Sequence, residues 1–358
     1  MLTVFIGTKA QYVKMAPLLH LLDDNKVDYR LIDSGQHAQL AVDFRAELNI
    51  RDPDLHLGTT RDVNSIPHAL LWAAKLALLL LSRSRLRKQV FTNSPTICLV
   101  HGDTPTTLIS ALMARRAGIP VAHVEAGLRT FRWFHPFPEE IIRVFVDRMS
   151  DLLFAPNAIA AQNLRNSRVK GRIVEQDANT VADTVATHFS VQQVPPTPKG
   201  VVVTMHRVEN LQKRSRVEAM VDLLVSISPG TTVTWYLHGP TERALSTKHR
   251  QRLADAGINL TSLVSHGDFL DALAASSYVI TDGGSIQEEC ALLGVPTLLW
   301  RDRTDREDGV DENIVISHYD PKIVSDFLSD PQAYRRHRTF PASNPSQQIL
   351  DELQPWLS

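Results

Sequence analysis

The chain has 358 residues, enough for about two ordinary domains that each bury a core of their own. Its apolar fraction of 43% and charged fraction of 22% are typical of a soluble globular protein. Because 38 lysines and arginines nearly balance 39 aspartates and glutamates, no overall field attracts the chain to nucleic acid or to an acidic membrane surface. An anionic ligand must therefore be bound by a local site.

Two cysteines, Cys98 and Cys290, each lie in an apolar context that is typical of a strand or helix core. This argues against a disulfide framework and against a cysteine metal site, and we expect no metal. The N-terminal sequence MLTVFIGTKAQ has neither a basic leader nor a cleavable apolar region, so a cytoplasmic protein is expected.

Short aliphatic or β-branched runs alternate with longer segments of helical period, which is typical of a parallel sheet covered on both faces. The runs in chain order are LTVFIG, YRLIDSG, TICLVHGD, PVAHVEAG, LLFAPN, RIVEQ, VVVTMH, TVTWYLHG, LTSLVSH, YVITDGG and PTLLWRD, with the last six assigned to the second half. This alternation predicts an α/β protein with two doubly wound, Rossmann-like domains that face each other across a cleft.

An apolar stretch at residues 69–82, ALLWAAKLALLLLS, precedes a basic run that begins at Arg83. It is shorter than the roughly 20 apolar residues that cross a bilayer, and Lys75 interrupts it, so no membrane insertion is expected. We interpret it as a buried or subunit-interface helix, which makes a homodimer the expected assembly. The alternative is an interfacial helix that lies on anionic lipid.

The domain boundary is predicted at VQQVPPTPKG, residues 191–200, because adjacent prolines with polar flanks are typical of a linker. The N-terminal domain is therefore expected to cover residues 1–190 and the C-terminal domain residues 198–344. The final segment, 345–358, has apolar residues at helical spacing, and we expect it to pack back on the N-terminal domain.

Polar side chains follow most of the predicted strands. In open α/β sheets the ligand crevice lies beyond the carboxyl ends of the strands, so residues there are placed for chemistry. The strand-end residues are Asp103, Glu125, His206, His238, His266 and Asp282. A lone histidine is usually structural, but several at corresponding strand ends indicate a site.

Two strand-to-helix turns are candidates for anion binding. GTKAQYVKMAP, residues 7–17, has no dinucleotide fingerprint, yet a helix that starts after the glycine offers free N–H groups, with Lys9 and Lys14 near its first turns. TDGGSIQEE, residues 281–289, is a stronger signal because its glycine pair lets the backbone approach a phosphate closely. Glu289 is placed to accept a pair of ribose hydroxyls. The alternative is a plain tight turn before a helix.

Three carboxylates are candidates for proton transfer. Asp103 in HGDTPTT and Glu125 in HVEAG each follow a strand, and Glu139 lies in the proline-bracketed segment that comes next. If the three share one cleft, their like charges raise at least one proton affinity toward neutral pH, which yields a general acid and a general base from one residue type. The alternative is a set of separate salt bridges, for instance to Arg129 and Arg143.

The charged residues beside these candidates have simpler interpretations. His206 in TMHRVEN ends a strand, where an imidazole can bind a phosphate or transfer a proton, whereas Arg207 and Glu209 are spaced to pair with each other. Glu140 and Arg143 are interpreted as bracing the helix that follows Glu139.

Taken in order, these motifs resemble the non-hydrolysing bacterial branch of the UDP-N-acetylglucosamine 2-epimerase family. The resemblance runs over nearly the whole chain and is carried by GTKAQYVKMAP, GQH (35–37), HGDTPTT, HVEAGLRT, PEEIIR, NTVADT (179–184), TMHRVEN, TDGGSIQEE, GVPTLLWRD and TDR (304–306). It implies a fold like that of the GT-B glycosyltransferases, with UDP bound mainly by the C-terminal domain and no cofactor such as NAD. The implied reaction inverts C2 of a UDP-2-acetamido sugar by anti elimination of UDP to a 2-acetamidoglucal, followed by re-addition.

The resemblance also implies roles for single residues. The implied catalytic residues are Asp103, Glu125, Glu139, His206 and Lys14. The implied nucleotide-binding residues are Lys9, Gly284, Ser285, Glu289, Arg306 and His238. An allosteric UDP-GlcNAc site, which some members carry, would comprise Gln36, His37, Gln39 and Arg207 together with His238.

The chain departs from the family pattern around the phosphate and sugar contacts. GTKAQ stands for the family's GTRPE, so Lys9 replaces an arginine and Gln11 a glutamate. DGGS stands for DSGG, so Gly283 replaces a serine. The segment from Phe131 to His135 is atypical as well. Because the carboxylates are retained, these changes favour an altered substrate or regulation over lost chemistry.

The leading hypothesis is therefore a non-hydrolysing 2-epimerase for UDP-GlcNAc or a related UDP-2-acetamido sugar, serving surface polysaccharide synthesis. Three alternatives stay open. They are a hydrolysing epimerase that releases UDP and a free manno sugar, a glycosyltransferase on the same fold, and a catalytically silent sugar-nucleotide sensor.

Overall fold

The computed structural model describes residues 1–36, 38–58, 66–92, 95–133, 137–190 and 198–357. The chain forms two compact units: unit 1 comprises Met1–Thr184 and the chain from Pro341 onward, and unit 2 comprises Val185–Phe340. The division falls within the helix Val181–Phe189, before the predicted linker at 191–200. Residues 191–197 of that linker lie outside the described residues.

Unit 1 is built on a seven-stranded parallel sheet with the order β3-β2-β1-β4-β5-β6-β7. The strands are β1 Leu2–Ile6, β2 Tyr29–Asp33, β3 Leu55–His56, β4 Ile97–His101, β5 Val121–Val124, β6 Leu152–Ala155 and β7 Arg172–Glu175. The chain runs outward from β1 in one direction and from β4 in the other, so the ligand crevice of this sheet is expected beyond β1 and β4. The assignment of RIVEQ to the second half was wrong, because β7 pairs with β6 at the edge of this first sheet.

Unit 2 has a six-stranded parallel sheet with the order β10-β9-β8-β11-β12-β13. Its strands are β8 Val201–Thr204, β9 Val233–Leu237, β10 Asn259–Ser262, β11 Tyr278–Thr281, β12 Thr297–Leu299 and β13 Ile314–Ile316. The order reverses between β8 and β11, which places the turns after VVVT and YVIT at the switch point of this sheet. Both sheets confirm the predicted α/β class.

Helices connect the parallel strands in both units, as parallel pairing requires. They are α1 Lys9–Asp24, α2 Ala38–Glu47, α3 Ile66–Leu80, α4 Arg83–Arg85, α5 Pro105–Ala117, α6 Glu139–Met149, α7 Ala158–Asn166, α8 Val181–Phe189, α9 Val208–Leu211, α10 Arg214–Ile227, α11 Gly239–Ala244, α12 Thr247–Asp255, α13 His266–Ala275, α14 Gly284–Leu293, α15 Pro321–Ser329 and α16 Pro345–Leu353. A π-helical turn follows α4 at Leu86–Val90, and short 3₁₀ turns occur at Ser228–Gly230, Pro331–Tyr334 and Gln354–Trp356.

Helices cover both faces of the first sheet. Ile97 and Leu99 of β4 belong to one apolar cluster, whereas Cys98 and Val100 belong to another. Every residue of this strand is therefore buried, which explains why its sequence is continuously apolar rather than alternating. The C-terminal helix α16 contributes three residues to the same cluster as α1, namely Ile349, Leu350 and Leu353.

Two predicted segments differ in detail from the structure. In LTSLVSH the strand ends at Ser262, and His266 begins α13 with Ser265 as its N-cap, so His266 is not a strand-end residue. The apolar stretch at 69–82 largely coincides with α3. In the described part of the chain, no helix is long and apolar enough to cross a membrane.

Candidate active site

Glu125 lies directly after β5 in a buried ionic cluster. Its backbone has a φ of +65°, a left-handed conformation that is rare for a residue other than glycine and that often marks a functional position. Lys14 of α1 donates from Nζ to Oε2 of Glu125 over 2.8 Å, and Nε2 of His101 lies 3.2 Å from the same oxygen. Burial lowers the pKa of His101; Glu125 opposes this shift and Lys14 adds to it, so the imidazole is neutral at neutral pH.

Asp103 is held by an arginine from another element. It follows Gly102, whose φ of +69° turns the chain out of β4. Arg143 of α6 donates to Oδ2 of Asp103 from Nε over 2.8 Å and from Nη2 over 2.5 Å. The side chain of Asp103 is 22% exposed, whereas Arg143 is buried. Arg143 therefore does more than brace its helix, and the salt bridge considered as an alternative is present here.

The two glutamates at the start of α6 have different environments. Glu140 is buried, and its carboxylate accepts hydrogen bonds from the backbone N–H groups of Thr130 and Phe131 at 3.0 and 3.2 Å. It thereby fixes the segment that leads from Glu125 toward α6, whereas the prediction was that it braces the helix that follows Glu139. Glu139, the first residue of α6, is only half-buried. Residues 134–136 of the atypical segment before it lie outside the described residues.

Gln11 connects the turn after β1 with the turn after β4. Its Oε1 accepts from the N–H groups of Gly7 and Thr8 at 2.9 and 3.2 Å. Its Nε2 donates to the carbonyl of His101 at 2.8 Å and to the hydroxyls of Thr104 and Thr107. A glutamate has no such donor, so the departure from GTRPE changes how the two turns are joined. Sequence reasoning noted the substitution but did not place Gln11 in the site.

The other candidates of unit 1 lie around the turns after β1 and β2. Lys9 has its Nζ 4.5 Å from the ring centre of Phe44, a cation–π contact on the first turn of α1. Gln36 accepts a hydrogen bond at 2.8 Å from the hydroxyl of Thr106, at the start of α5. His37 and the side chain of Gln39 lie outside the described residues.

In unit 2, Asp282 organises the turns after β8 and β11. This fully buried carboxylate accepts from the backbone N–H groups of His206 and Arg207 at 2.9 and 3.0 Å and from the amide of Asn210 at 2.9 Å. The rings of His206 and His238 have their centres 4.6 Å apart. Partial burial lowers the pKa of His206, and Arg207 reinforces this shift, whereas Asp282, whose Oδ1 lies 3.4 Å from Nδ1 of the ring, opposes it.

The glycine pair before α14 permits close contacts with two cationic or polar side chains. A Cβ at Gly283 would lie 2.9 Å from Cε1 of His206, and one at Gly284 would lie 2.6 Å from Nε of Arg306. The guanidinium of Arg306 also donates to Glu288 over 2.6 Å. His206 and Arg306 therefore flank the N-terminus of α14, whose first N–H groups have no partner within the helix. Ser285 is the second residue of this helix. This is the arrangement that binds phosphate groups.

Glu289 and Arg301 are two further buried charged residues of unit 2. Oε1 of Glu289 lies 2.9 Å from Nε2 of His266, so the carboxylate predicted to bind ribose is held by α13. Burial lowers the pKa of Arg301 to about 10, with Arg207 adding to the shift, although Asp305 lies 3.4 Å away. Among the residues that the structure describes, no group of three or more His, Cys, Asp or Glu is arranged to hold a metal ion.

Comparison with known proteins decides the family. The family model for UDP-N-acetylglucosamine 2-epimerase matches residues 20–354. The chain belongs to this family. Because epimerases are isomerases, the membership also makes the chain an enzyme of the isomerase class.

Relatives in the 2-epimerase family align over most of the chain. The UDP-N-acetylglucosamine 2-epimerase of Bacillus subtilis (strain 168) is 31% identical over 374 residues, covering 98% of this chain and 94% of the relative. The UDP-2,3-diacetamido-2,3-dideoxy-D-glucuronate 2-epimerase of Pseudomonas aeruginosa is 28% identical over 315 residues, covering 84% and 83%. The crystal structure of Methanocaldococcus jannaschii UDP-GlcNAc 2-epimerase in complex with UDP-GlcNAc and UDP has a TM-score of 0.84 at 24% identity and covers 99% of both chains. That match shows the GT-B-like fold.

In this 2-epimerase family member, sequence reasoning did not place three residues in the site that the structure brings to it: Arg143, Gln11 and Arg301. Arg143 had a usable signal, because it follows Glu139 by four positions and so shares its helix face. Arg301 had a weaker one, as the first charged residue after a buried strand. Gln11 had only its difference from the family pattern.

Proposed function

We propose that the protein is a non-hydrolysing 2-epimerase of UDP-GlcNAc or a related UDP-2-acetamido sugar, supplying manno-configured precursors for surface polysaccharide. The observation that carries the proposal is the buried Glu125 in a left-handed backbone conformation, contacted by Lys14 at 2.8 Å and by a neutral His101 at 3.2 Å. A buried carboxylate with both a cation and a neutral imidazole beside it has a route for accepting and returning a proton.

The proposed reaction needs no carbonyl next to the C2 hydrogen. A carboxylate removes the C2 proton while the C1–O bond to UDP breaks, with its electron pair leaving on UDP, and a C1–C2 double bond forms. UDP then re-adds through oxygen to C1, and C2 receives a proton on its opposite face. We assign these proton transfers to Asp103, Glu125 and Glu139, because the first two have distinct cationic partners and the third begins α6, the helix that also carries Arg143.

Unit 2 is assigned the nucleotide. The N-terminus of the ten-residue helix α14 offers backbone N–H groups and a favourable dipole, and Arg306 and His206 flank it. Fixed donors at the diphosphate stabilise the negative charge that develops when UDP departs. Gly284, Ser285, Glu289 and His238 remain assigned to nucleotide binding, and Gln36, His37, Gln39 and Arg207 to an allosteric UDP-GlcNAc site.

The experiment is incubation with UDP-GlcNAc and with UDP-2,3-diacetamido sugars in deuterated water, followed by NMR of the products. We expect deuterium at C2 and a UDP-linked manno epimer from at least one substrate. Release of UDP with a free manno sugar would show the hydrolysing reaction instead, and transfer of the sugar to an acceptor would show a glycosyltransferase. Tight UDP binding without turnover of any candidate would show a sensor. Each of these three outcomes contradicts the proposal.

We also propose that the protein forms a homodimer through α3. Leu71, Ala74 and Leu78 of α3 and Leu81 directly after it recur at spacings of three and four residues, and the three leucines are 66%, 58% and 75% exposed. This is the spacing of a helix–helix seam. Light scattering should give a dimer that Leu78→Glu dissociates, whereas Val42→Glu on α2 should not. A monomeric wild type that binds anionic vesicles would instead favour lipid contact.

A further inference from the structure

His123 of β5 is a fully buried histidine with an acceptor at each ring nitrogen. Its Nδ1 lies 2.7 Å from Oδ1 of Asp147 on α6, and its Nε2 lies 2.8 Å from the carbonyl oxygen of Gly102. A neutral imidazole carries one N–H and can satisfy only one of these oxygens. The other contact would then be a repulsion between lone pairs at hydrogen-bond distance.

The surroundings favour the doubly donating form of this ring. A fully buried carboxylate such as Asp147 is stable as an anion only when donors or cations contact its oxygens. Arg129 donates to the second oxygen of Asp147 over 2.6 Å. With Asp147 ionised, an imidazolium at His123 gives every one of these contacts a donor and an acceptor. His101 lies on the paired strand β4, and, after burial, the charge of His123 is one of the causes that lower the pKa of His101.

Helix α6 thereby reaches Asp103 by two routes. The first is direct, through the two hydrogen bonds from Arg143 to the carboxylate. The second runs from Asp147, one turn further along α6, through His123 to the carbonyl of Gly102, the residue that precedes Asp103. Gly102 is in a left-handed turn whose N–H is bound to the carbonyl of Val124. The side chain of Asp103 and the peptide before it are therefore fixed from the same helix.

We propose that His123, as a doubly donating imidazolium held by Asp147 and Arg129, is a positioning residue that fixes Asp103 for proton transfer. The proposal rests on the proposed epimerase function for its kinetic consequence. Its structural half, the two hydrogen bonds and the orientation of the turn, stands independently of the substrate. A misplacement of about 1 Å at a reacting group can cost about 100-fold in rate, so small shifts of this turn matter.

The first test uses the wild-type protein with ¹⁵N-labelled histidine. We expect one imidazole, assigned through its contacts with Asp147, to show two N–H protons that are both slow to exchange. A neutral single-tautomer pattern for this ring would overturn the proposal. This measurement needs neither a variant nor turnover.

The second test compares His123→Phe with His20→Phe. His20 of α1 has its Nε2 2.9 Å from the carbonyl of Leu48, so the control also removes a histidine-to-carbonyl hydrogen bond in unit 1. For His123→Phe we expect kcat for C2 deuterium exchange to fall 10- to 100-fold, with KM and the Kd for UDP within about threefold. The control should stay within about twofold in all three. A folded His123→Phe with wild-type kcat would overturn the proposal.

A crystal structure of His123→Phe separates this proposal from the function it rests on. If the wild type turns over no UDP sugar, the epimerase proposal fails, and the position of the Gly102–Asp103 turn still decides the role of His123. An undisplaced turn would overturn the positioning role. If this variant does not fold, Asp147→Asn provides the comparison, because its ring should revert to a neutral tautomer in the NMR spectrum.

Discussion

Replacing Lys14 by methionine tests the buried cluster around Glu125. Lys14→Met keeps the length of the side chain and leaves a carboxylate, 4% exposed, without its closest cation. Breaking a buried ion pair from one side costs about 3–5 kcal/mol. In this protein the cost depends on pH, because Lys14 is one of the charges that keep the pKa of His101 low.

Without Lys14, the imidazole of His101, 3.2 Å from Glu125, can take up a proton and restore a cation to the cluster. The folded variant then binds more protons than the folded wild type as the pH falls. A group whose folded pKa rises contributes stability at low pH and loses it as the pH rises through that pKa. Uptake of one proton changes the free energy of unfolding by at most about 1.4 kcal/mol per pH unit. The stability that Lys14→Met loses should therefore be smaller at pH 6 than at pH 8, by up to about 2.7 kcal/mol.

The assay is hydrogen exchange of the β4 and β5 amides, which reports the opening free energy of unit 1 without assuming that both units unfold together. The control is Lys14→Met combined with Glu125→Gln, which removes the unpaired charge and should recover much of the loss at pH 8. Equal losses at pH 6 and pH 8 for the single variant would refute the role of His101. No loss at either pH would refute the buried pair itself.

Three further outcomes are expected from single substitutions. Gly284→Ala should raise the Kd for UDP about tenfold in calorimetry, because the new Cβ would lie 2.6 Å from Nε of Arg306. The control is Gly230→Ala, which should leave the Kd unchanged because nothing lies within 4 Å of its new Cβ. Gln11→Glu should destabilise unit 1 by about 1–3 kcal/mol in the exchange assay, because the carbonyl of His101 loses its donor; an unchanged value would mean that the two turns are joined in another way. Arg143→Met should lower kcat at least 100-fold and leave the Kd for UDP unchanged, because Asp103 loses the two hydrogen bonds that hold its carboxylate. A variant with wild-type kcat would show that Asp103 takes no part in the proton transfers.

Local sequence patterns were enough to predict the α/β architecture. The apolar runs of β4 and β5 can be read as buried parallel strands because their apolar side chains are buried in clusters on both faces of the sheet. The ends of these runs likewise located Asp103 and Glu125, since the carboxyl ends of parallel strands share one edge of the sheet. Short edge strands were harder: β3 has two residues and β13 three, too few for a period to show.

Side-chain partnerships were the part that local patterns could not supply. His266 was read as a strand-end residue, yet it begins α13 and pairs with Glu289, because the strand before it stops at Ser262. Arg129 was considered as a partner of a catalytic carboxylate, but it pairs with Asp147. Such pairs join residues far apart in sequence, and their geometry depends on how each helix rotates against the sheet.

The amino-acid sequence alone determined the α/β class, the strand ends that carry the candidate carboxylates, and the glycine pair before α14, because each depends on residues within about ten positions of one another. It did not determine which charge compensates which. The packing of helices α1 and α6 against the sheet decides these pairs. It places Lys14 beside Glu125 and Arg143 beside Asp103. It also places His123 between Asp147 and the carbonyl of Gly102. A buried charge is stable only beside its partner, so the folded packing selects the partner and, with it, the chemistry of the site.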